Sequence, residues 1–379
     1  MPALRVDSRL LGSACVLGLA AELVVTYPVD AQRWSLSTDA VVLGKGADEL
    51  FEWVRFGRLL PDGGAVVADI RGLFIRVYGP NGTRQSQMGR TGSGPGEFRG
   101  LYGLWLSRDG HIGAWDGMAS RYTYFNTNGE VVSTHSARPH GALPGNLDVF
   151  LGTFANGDLL LAALKLERPP MPDEVVEERW FLARFSPDGE FRGSPGYVQG
   201  MSRMYRAPLP FSPVPRVAIR QDSIWFIHGY ETDLRLLQQA GKPTRSVALR
   251  WNRPSEGAAW TVLESELRRL NKSMLLTLLP DAPRPQPLPA AGGLLVDDLG
   301  NFWIKEYDPS TDALWLKENA LESGPGGIWH VLGPQGAWLA TIQFPKNMIL
   351  LDVRGDRVLG VERDDLDVER VVTRTLTRQ

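Results

Sequence analysis

Cysteine is almost absent from this chain. Among its 379 residues there is one, Cys15, inside an apolar stretch near the N-terminus. If that stretch is removed after Ala31, the remaining chain contains no cysteine, which excludes disulfides, thiolate metal sites and a cysteine nucleophile. The mature chain of about 348 residues must then be stabilised by its hydrophobic core, and that length is sufficient for one.

A net charge of either sign is also missing. Lys and Arg total 41 against 43 Asp and Glu, so the formal charge is −2 at pH 7. No excess of positive charge attracts nucleic acid phosphates or acidic membrane headgroups. We therefore expect no nucleic acid partner, and membrane contact only if the N-terminal segment is retained.

Familiar catalytic motifs are missing too. The five histidines form no H-E-x-x-H element, and none stands at ligand spacing with a second histidine and a carboxylate. No G-x-S-x-G element of serine hydrolases occurs. The sequence therefore indicates neither a zinc hydrolase nor an α/β-type serine hydrolase, and it favours a binding protein over an enzyme.

The N-terminus has the pattern of a signal peptide. Arg5 and Arg9 introduce the apolar stretch Leu10–Val25, and Val29–Ala31 offers small residues where a signal peptidase cleaves. The stretch of about 16 residues is shorter than the roughly 20 that span a membrane as a helix. We predict cleavage after residue 31 and a periplasmic or secreted mature protein; a retained anchor is the alternative.

Turns recur at regular intervals along the rest of the chain. Gly63, Gly110 and Gly157 follow one another at steps of 47 residues, and each opens a unit with a second glycine turn. Glycine supplies the positive φ that closes a hairpin. Four strands per unit at a period of about 40 to 50 residues indicate a propeller blade. The second turns end at Gly82, Gly129, Gly189, Gly241 and Gly336.

A sixth unit near the C-terminus has only three β runs, Met348–Asp352, Arg357–Glu362 and Asp367–Thr375. An orphan β run, Trp34–Leu43, precedes the first unit. Pairing the orphan with the last unit would close the ring and remove exposed sheet edges. We therefore predict an all-β fold, a six-bladed β-propeller of four-stranded antiparallel blades whose last blade is completed by the N-terminal strand.

One segment carries a family resemblance. Gly89–Phe98, which contains the element G-x-G-P-G-E-F, is followed by a strand, by Arg108–Gly110 and by Ala114–Asp116. This order resembles the linker and inner hairpin of NHL-repeat-type six-bladed β-propellers. The resemblance implies a scaffold that mostly binds ligands or proteins, with a minority of enzymes, so it does not select the function.

The resemblance also points to individual residues. In that family an Asp after the second strand and an Arg opening the third are typical. Asp116 with Arg121 matches this pattern, and Asp69 with Arg76 matches it at a wider spacing. We take Arg76 and Arg121 as binding candidates.

The long insertions all fall on one face of the predicted disc. This long-loop face carries the connections from strand two to three and from strand four to the next blade; the opposite, short-turn face carries the glycine turns. Binding residues concentrate in loops on rigid scaffolds, so we predict that the long-loop face is functional. The alternative is that the insertions cover apolar blade ends. They are Glu167–Arg179, Gly193–Arg216, Arg250–Gly293 and Glu306–Gly327.

The insertion 250–293, between blades four and five, contains the predicted helix. Thr261 and Glu264 suggest a capping box, and Pro280 ends the pattern. The apolar residues at helical spacing indicate a stripe packed on the propeller rim, or alternatively a docking surface. They are Leu263, Leu267, Leu270, Met274 and Leu278.

The segment between blades three and four is the predicted binding loop. Aromatic, thioether and guanidinium side chains alternate there, and Tyr and Arg are favoured interface anchors. A structural role is the alternative. The nearby acidic stretch is predicted to be a solvated face, or alternatively to pair with Arg203 and Arg206; it consists of Asp173, Glu174, Glu177 and Glu178. The binding candidates are Tyr197, Arg203, Tyr205 and Arg206.

These observations predict a non-catalytic exported propeller that binds a protein partner or a small ligand through the long-loop face, for example as an accessory subunit of an envelope complex. We expect no cofactor. The alternative is a calcium-dependent hydrolase or lyase with its site in the central channel. Its weak metal candidates are Asp69, Glu97, Asp116 and Glu306, of which Asp69 and Asp116 have an alternative role in ordering the loop after the second strand.

Overall fold

The structure is a computed structural model that describes residues 32–46, 49–137, 147–166, 174–204, 207–227, 230–237, 245–249, 251–284, 287–317, 322–366 and 368–378. The predicted signal peptide, the predicted turn at Gly241 and the binding candidates Tyr205 and Arg206 lie outside the described residues.

Short strands dominate the described chain. The N-terminal strand is β1 (Gln32–Val42). The strands of the first two sheets are β2 (Val54–Leu59), β3 (Ala65–Asp69), β4 (Phe74–Tyr78), β5 (Arg84–Met88), β6 (Leu101–Leu106), β7 (Ile112–Asp116), β8 (Arg121–Phe125) and β9 (Val131–Ser136). The next two sheets contain β10 (Leu147–Thr153), β11 (Leu159–Leu166), β12 (Val175–Phe185), β13 (Phe191–Met204), β14 (Ala207–Pro208), β15 (Arg216–Arg220), β16 (Ser223–Ile227), β17 (Asp233–Leu237) and β18 (Ser246–Ala248).

Helices α1 (Glu256–Arg269) and α2 (Ser273–Leu278) follow, and α3 (Pro309–Asp312) lies between two of the remaining strands. Those strands are β19 (Ala291–Val296), β20 (Phe302–Glu306), β21 (Gly327–Leu332), β22 (Trp338–Phe344), β23 (Met348–Arg354), β24 (Arg357–Arg363) and β25 (Glu369–Arg378).

The strands form antiparallel meanders of the propeller type. Four sheets are separate: β2 to β5, β6 to β9, β10 to β14 and β15 to β18. The remaining strands form one eight-stranded sheet in the order β19-β20-β21-β22-β1-β25-β24-β23. The predicted antiparallel pairing of the N-terminal strand with the last C-terminal strand is confirmed, since β1 pairs with β25 from Trp34↔Arg378 to Val42↔Val372.

The eight-stranded sheet was not predicted. It arises because β1 extends two residues beyond its pairing with β25, and Gln32 and Arg33 pair in parallel with Ala340 and Thr341 of β22. Backbone groups at a strand end need partners, and the outer edge of β22 supplies them. Two meanders are thereby joined through this short parallel contact.

The first strand of each meander lies innermost. In the described chain β23, β2, β6, β10, β15 and β19 contact one another in succession around a central channel. Apolar side chains fill the spaces between neighbouring sheets, and the largest fully buried ones include Trp115, Trp180 and Trp303. The core therefore lies between blades, and the channel is the surface that the innermost strands leave free.

A β-bulge interrupts several innermost strands near the long-loop face. The register of β2 shifts between Val54 and Phe56, and that of β6 shifts between Leu101 and Gly103. A bulge leaves one residue unpaired and redirects its side chain. Arg55 and Tyr102 occupy these positions, and both line the channel.

The third meander differs from the prediction of two loops at Glu167–Arg179 and Gly193–Arg216. Val175 pairs with Met204 and Val176 with Arg203, so β12 and β13 form a long hairpin. Pairing satisfies the backbone groups that a loop would leave to solvent. Alternation along the hairpin buries Glu178, Trp180 and Val198.

The helical insertion also differs in detail. The predicted capping box at Thr261 is wrong, because α1 begins at Glu256 and the Thr261 hydroxyl donates to the carbonyl of Gly257 at 3.0 Å. Glu256, Ala258 and Ala259 favour helix, so the helix begins more than a turn before Thr261. Leu263 and Leu267 are buried against the β20–β21 connection, but the chain turns at Asn271, where φ is 53°. The rest of the predicted stripe, Leu270, Met274 and Leu278, is exposed.

Candidate functional site

Arg55 is the centre of a buried ionic cluster where the channel meets the long-loop face. Its Nη1 lies 2.8 Å from Oε1 of Glu369, and its Nε lies 2.5 Å from Oε1 of Glu322. The side chain of Arg55 is 2% exposed and that of Glu369 is 3% exposed. Two carboxylates, one at the start of β25 and one in the β20–β21 connection, therefore converge on one guanidinium group.

Glu369 connects the first and last meanders. Its Oε2 accepts from the backbone amide of Val54 at 2.6 Å, and its Oε1 also pairs with Nη2 of Arg363 at 2.9 Å. A buried carboxylate is stable only when its oxygens are satisfied. Glu369 meets this condition through Val54, Arg55 and Arg363.

The β20–β21 connection crosses the channel end at Glu322. The backbone carbonyl of Glu322 accepts from Nζ of Lys317 and, at 3.4 Å, from Nη2 of Arg216. Burial raises the pKa of the Glu322 carboxyl, and Arg55 opposes that shift. Arg55, Arg216 and Lys317 thus all contact Glu322 and fix this part of the connection at the end of the channel.

Asp312, the last residue of α3, stabilises the same connection from within. Its Oδ2 lies 2.5 Å from Nζ of Lys305, and its Oδ1 lies 3.7 Å from Nζ of Lys317 and accepts from the amide of Gly324 at 2.8 Å. Burial alone would raise the pKa of Asp312, but Lys305 and Lys317 hold it well below the usual range. We call Arg55, Glu322, Glu369, Arg363, Arg216, Asp312, Lys305 and Lys317 the channel-end network.

Lys317 makes the stability of the network depend on pH. Burial, with a further contribution from Arg216, lowers the pKa of the Lys317 ammonium group to about 7. Above pH 7 the folded protein holds Lys317 neutral, whereas the unfolded chain keeps it protonated up to about pH 10.5. The unfolded state then binds more protons, so stability rises with pH in this window.

We expect the free energy of unfolding to rise by up to about 1.4 kcal/mol per pH unit between pH 7 and pH 10. Urea unfolding at several pH values measures this slope. Lys317→Met should flatten it, while Lys272→Met, a change on the helical insertion, should leave it unchanged. Equal slopes in the wild-type and Lys317→Met chains would contradict the assignment.

Gly292 makes room for Asp312. A Cβ at residue 292 would lie 2.3 Å from Oδ2 of Asp312. Gly292→Ala should therefore displace a buried, paired carboxylate and cost about 1–3 kcal/mol of unfolding free energy. Gly257→Ala is the matched control, because a Cβ there meets no atom within 4 Å and alanine favours the helix by up to about 1 kcal/mol. Urea unfolding compares the two variants, and equal stabilities would refute the steric role.

Beneath the network the channel contains a cavity of about 400 Å³. Its wall is mixed in polarity, and apolar side chains from several meanders contribute to it, among them Phe56, Phe150, Ile219 and Leu295. Charged groups also line it, with Arg55, Arg216 and Glu322 near the long-loop face and Arg58 and Asp352 nearer the short-turn face. A cavity that combines apolar walls with directed polar groups is the usual form of a ligand site.

The predicted aspartates order their own loops. Asp69 accepts from the amides of Glu52 at 2.6 Å and Gly72 at 2.8 Å, and it is fully buried. Asp116 accepts from the amide of Arg99 at 2.9 Å and lies 3.5 Å from Nη2 of Arg121. These contacts agree with the alternative role given above, in which Asp69 and Asp116 order the loop after the second strand.

The other residues that the resemblance indicated hold the same loops. Arg121 donates to the carbonyls of Ser93 at 2.8 Å and Glu97 at 2.7 Å, closing the G-x-G-P-G-E-F loop. The amide of Gly94, and then Arg90, hold the pKa of the Glu97 carboxyl below its usual range. Arg76 is buried, donating to Gln87 at 2.8 Å and lying 4.1 Å above the ring of Phe74.

Two candidates of the predicted binding loop are described, Tyr197 and Arg203, and both lie on β13 of the β12–β13 hairpin. Tyr197 is 51% exposed and lies beneath the guanidinium group of Arg179, 4.9 Å from the ring centre. Arg203 pairs with the buried carboxylate of Glu178, as the structural alternative anticipated. The hairpin therefore presents a half-exposed aromatic ring on a paired, ordered support.

Metal ligands do not cluster in the described part of the chain, where no group of three or more His, Cys, Asp or Glu side chains is placed to hold an ion. Glu306 instead contacts Nε2 of His330 at 2.6 Å, and the His330 ring lies between Trp251 and Trp338.

The channel-end network was missed by sequence reasoning. Its members come from positions up to hundreds of residues apart, and most are isolated charges at the ends of strands or in the β20–β21 connection. One signal was present: in Phe302–Glu306, alternation places Lys305 on the same side as the buried Trp303. A lysine in a buried position needs a partner, which is Asp312.

No protein-family model matches the chain, and no curated protein matches it in sequence. No helix among the described residues is long and apolar enough to cross a membrane.

Solved structures resemble the chain over nearly its whole length. A member of the DUF4221 family from Bacteroides vulgatus has a TM-score of 0.53 at 11% identity, over 92% of this chain and 99% of that one. A Bacteroides fragilis protein described as exported has a TM-score of 0.51 at 12% identity, over 91% and 95%. A virginiamycin B lyase from Staphylococcus aureus has a TM-score of 0.44 at 11% identity, over 91% and 100%. At these identities the likeness shows the fold alone, a β-propeller.

Proposed function

We propose that this chain is an exported, non-catalytic six-bladed propeller of the NHL-repeat type that binds a protein partner through its long-loop face. The blade count takes the eight-stranded sheet as two blades, β19 to β22 and β23 to β25 with β1. Export follows from the signal-peptide pattern of residues 1–31 and is tested by N-terminal sequencing, which should find Gln32 first.

The distribution of exposed apolar side chains carries the proposal. The described chain exposes twelve large hydrophobic residues, and eight of them lie on strand ends or connections of the long-loop face. Three lie on the short-turn side, and Tyr197 lies midway along β13. Exposed apolar groups on one side of a protein mark an interaction surface. The eight are Leu50, Tyr102, Met118, Val175, Leu270, Met274, Leu278 and Leu366.

The support beneath these residues is ordered. The channel-end network fixes the β20–β21 connection, and the ion pair of Glu178 with Arg203 fixes the end of the blade-three hairpin. A surface that is ordered before binding loses less conformational entropy when a partner docks. Tyr197 and Arg203 remain our anchors for such a partner, because tyrosine and arginine dominate interface energies.

Site-specific photo-cross-linking in cells that export the chain tests the proposal without disturbing buried pairs. A benzophenone amino acid at Leu366 or Met274, which are 84% and 73% exposed, should give a discrete cross-linked adduct. The same group at Leu299 or Val132 on the short-turn side, 54% and 48% exposed, is the matched control and should not. Absence of adducts from the long-loop positions, or equal adducts from both sides, would refute the assignment.

A further inference from the structure

Two opposite charges lie in the channel cavity without forming an ion pair. Arg58 belongs to β2 and Asp352 to β23, and both line the cavity. Nη1 of Arg58 donates to the carbonyl of Gly57 at 2.8 Å, and Oδ2 of Asp352 accepts from the amide of Leu59 at 2.8 Å. Among the described residues no carboxylate lies within ion-pair distance of Arg58.

Both groups retain hydrogen-bonding capacity. A guanidinium group has five N–H donors and a carboxylate has about four acceptor sites. The contacts of Arg58 to Gly57, and of Asp352 to the backbone amides of Leu59 and Val353, therefore leave several of these sites unused. Burial raises the pKa of the Asp352 carboxyl, and Arg58 opposes this shift. Charged groups in apolar surroundings are stabilised by a partner of opposite charge.

The surroundings of this pair are apolar and reach solvent. Phe56, Val217, Ile219 and Leu295 line the cavity, and all are partly exposed. Arg58 and Asp352 lie in the half of the channel nearer the short-turn face, because each stands close to the turn that follows its strand.

We propose that this half of the channel binds a small zwitterion with an apolar substituent, such as an apolar α-amino acid, whose carboxylate is held by Arg58 and whose ammonium group is held by Asp352. The planar guanidinium group matches a carboxylate, and an ammonium group supplies the three donors that a carboxylate accepts. The apolar walls remove the substituent from water.

The two charges select for both ends of the ligand. A ligand with a carboxylate alone would pair with Arg58 but would be repelled by the negative charge of Asp352. A ligand with an ammonium group alone would pair with Asp352 but would be repelled by the positive charge of Arg58. A ligand that lacks either charged group also leaves a polar protein group unpaired in the cavity, which is costly. This site is separate from the proposed protein-binding surface, and the two assignments stand or fall independently.

Isothermal titration of the mature wild-type chain with L-leucine and L-phenylalanine tests the proposal directly. Binding should be detected with both, and N-acetyl-L-leucine and L-leucinamide, which each lack one charge, should bind about tenfold or more weakly. Equal binding of N-acetyl-L-leucine and L-leucine would overturn the proposal in favour of a carboxylate site. No binding of either amino acid would overturn it outright.

Variants then assign the two ends. Arg58→Gln and Asp352→Asn should each weaken L-leucine binding by about tenfold or more, and only Arg58→Gln should weaken residual binding of N-acetyl-L-leucine. Arg192→Gln is the matched control, because Arg192 pairs with the exposed Glu190 and does not line this cavity, and the affinity of that variant should equal that of the wild type. An unchanged affinity in a folded Arg58→Gln chain would overturn the proposal. If the variants do not fold, the wild-type comparison of the charged and blocked ligands decides alone.

Discussion

Arg55→Met should lower the free energy of unfolding by about 3–5 kcal/mol, which is a large share of the stability of an ordinary domain. Arg55 is the cation that Glu322 and Glu369 share, with contacts of 2.5 and 2.8 Å, and it is 2% exposed. Removing it takes the cation at 2.5 Å away from Glu322 and leaves Glu369 with Arg363 as its remaining cation, in a site that is largely shielded from water. Methionine keeps most of the side-chain volume, so the loss reports the charge and not a cavity. Urea unfolding of the mature chain measures it.

The control for this experiment is Arg192→Met. Arg192 also pairs with a glutamate, Glu190, at 2.9 Å, but both side chains are about half exposed, so its removal should cost no more than about 1 kcal/mol. Glu369→Gln should partly rescue Arg55→Met, because it removes one of the two carboxylate charges that Arg55 neutralises. A loss in Arg55→Met no greater than in Arg192→Met, or additive effects of Arg55→Met and Glu369→Gln, would show that Arg55 does not neutralise this site.

The network explains how a propeller carries long connections without leaving them loose. Arg55 comes from the first meander, Glu369 from the last, and Glu322 from the β20–β21 connection. Their pairing fixes the connections to the innermost strands where the ring closes. The exposed apolar residues of the long-loop face are thus presented on a supported surface, which is what docking of a partner requires.

Sequence reasoning predicted those parts of the fold that depend on local signals. Glycine turns such as Gly63 and Gly110, with φ of 88° and 83°, occur where expected because a hairpin turn with positive φ depends on a few neighbouring residues. The pairing of β1 with β25 was predictable because an orphan strand at each end of a closed sheet fold has few other partners. The parallel contact of β1 with β22 depends on the exact end of β25, and no pattern encodes it.

The β12–β13 hairpin shows where local signals fail. Gly193, Pro195, Gly196 and Gly200 in this stretch favour loop over strand. The structure accommodates them in β13 with register irregularities opposite Leu182 and Arg184. Long pairing with β12 outweighs the low strand propensity of individual glycines, because sheet propensity depends strongly on the neighbouring strand.

The candidate site was less predictable than the fold. Arg55 and Glu369 are 314 residues apart and meet only because the ring closes. Without that closure neither residue differs from an ordinary surface charge. The residues that the family pattern indicated, Asp116 and Arg121 among them, proved to hold loops, because a repeated residue in a repeated blade most directly serves the blade itself.

Asp312→Asn should have a comparably large effect, again about 3–5 kcal/mol of unfolding free energy at pH 6. Asp312 is the carboxylate that contacts both Lys305, at 2.5 Å, and Lys317, at 3.7 Å, and the side chains of Asp312 and Lys305 are fully buried. Asparagine preserves shape and can still accept from the amide of Gly324. The variant therefore removes the negative charge and leaves two buried ammonium groups facing each other.

The pH dependence separates this cause from a packing defect. In the wild type, the lowered pKa of Asp312 contributes stability above the unfolded value of 3.8, and that contribution is lost as pH falls through the folded value. In Asp312→Asn the loss of the opposing carboxylate lowers the pKa of Lys317 further, so the variant regains stability as pH rises toward 7. The gap between the two chains should be widest at about pH 4 to 5 and narrow on both sides. Asp298→Asn, in an exposed turn, should stay within about 0.5 kcal/mol of the wild type throughout. A gap in Asp312→Asn that is constant from pH 4 to pH 10 would mean that shape, not charge, is what residue 312 supplies.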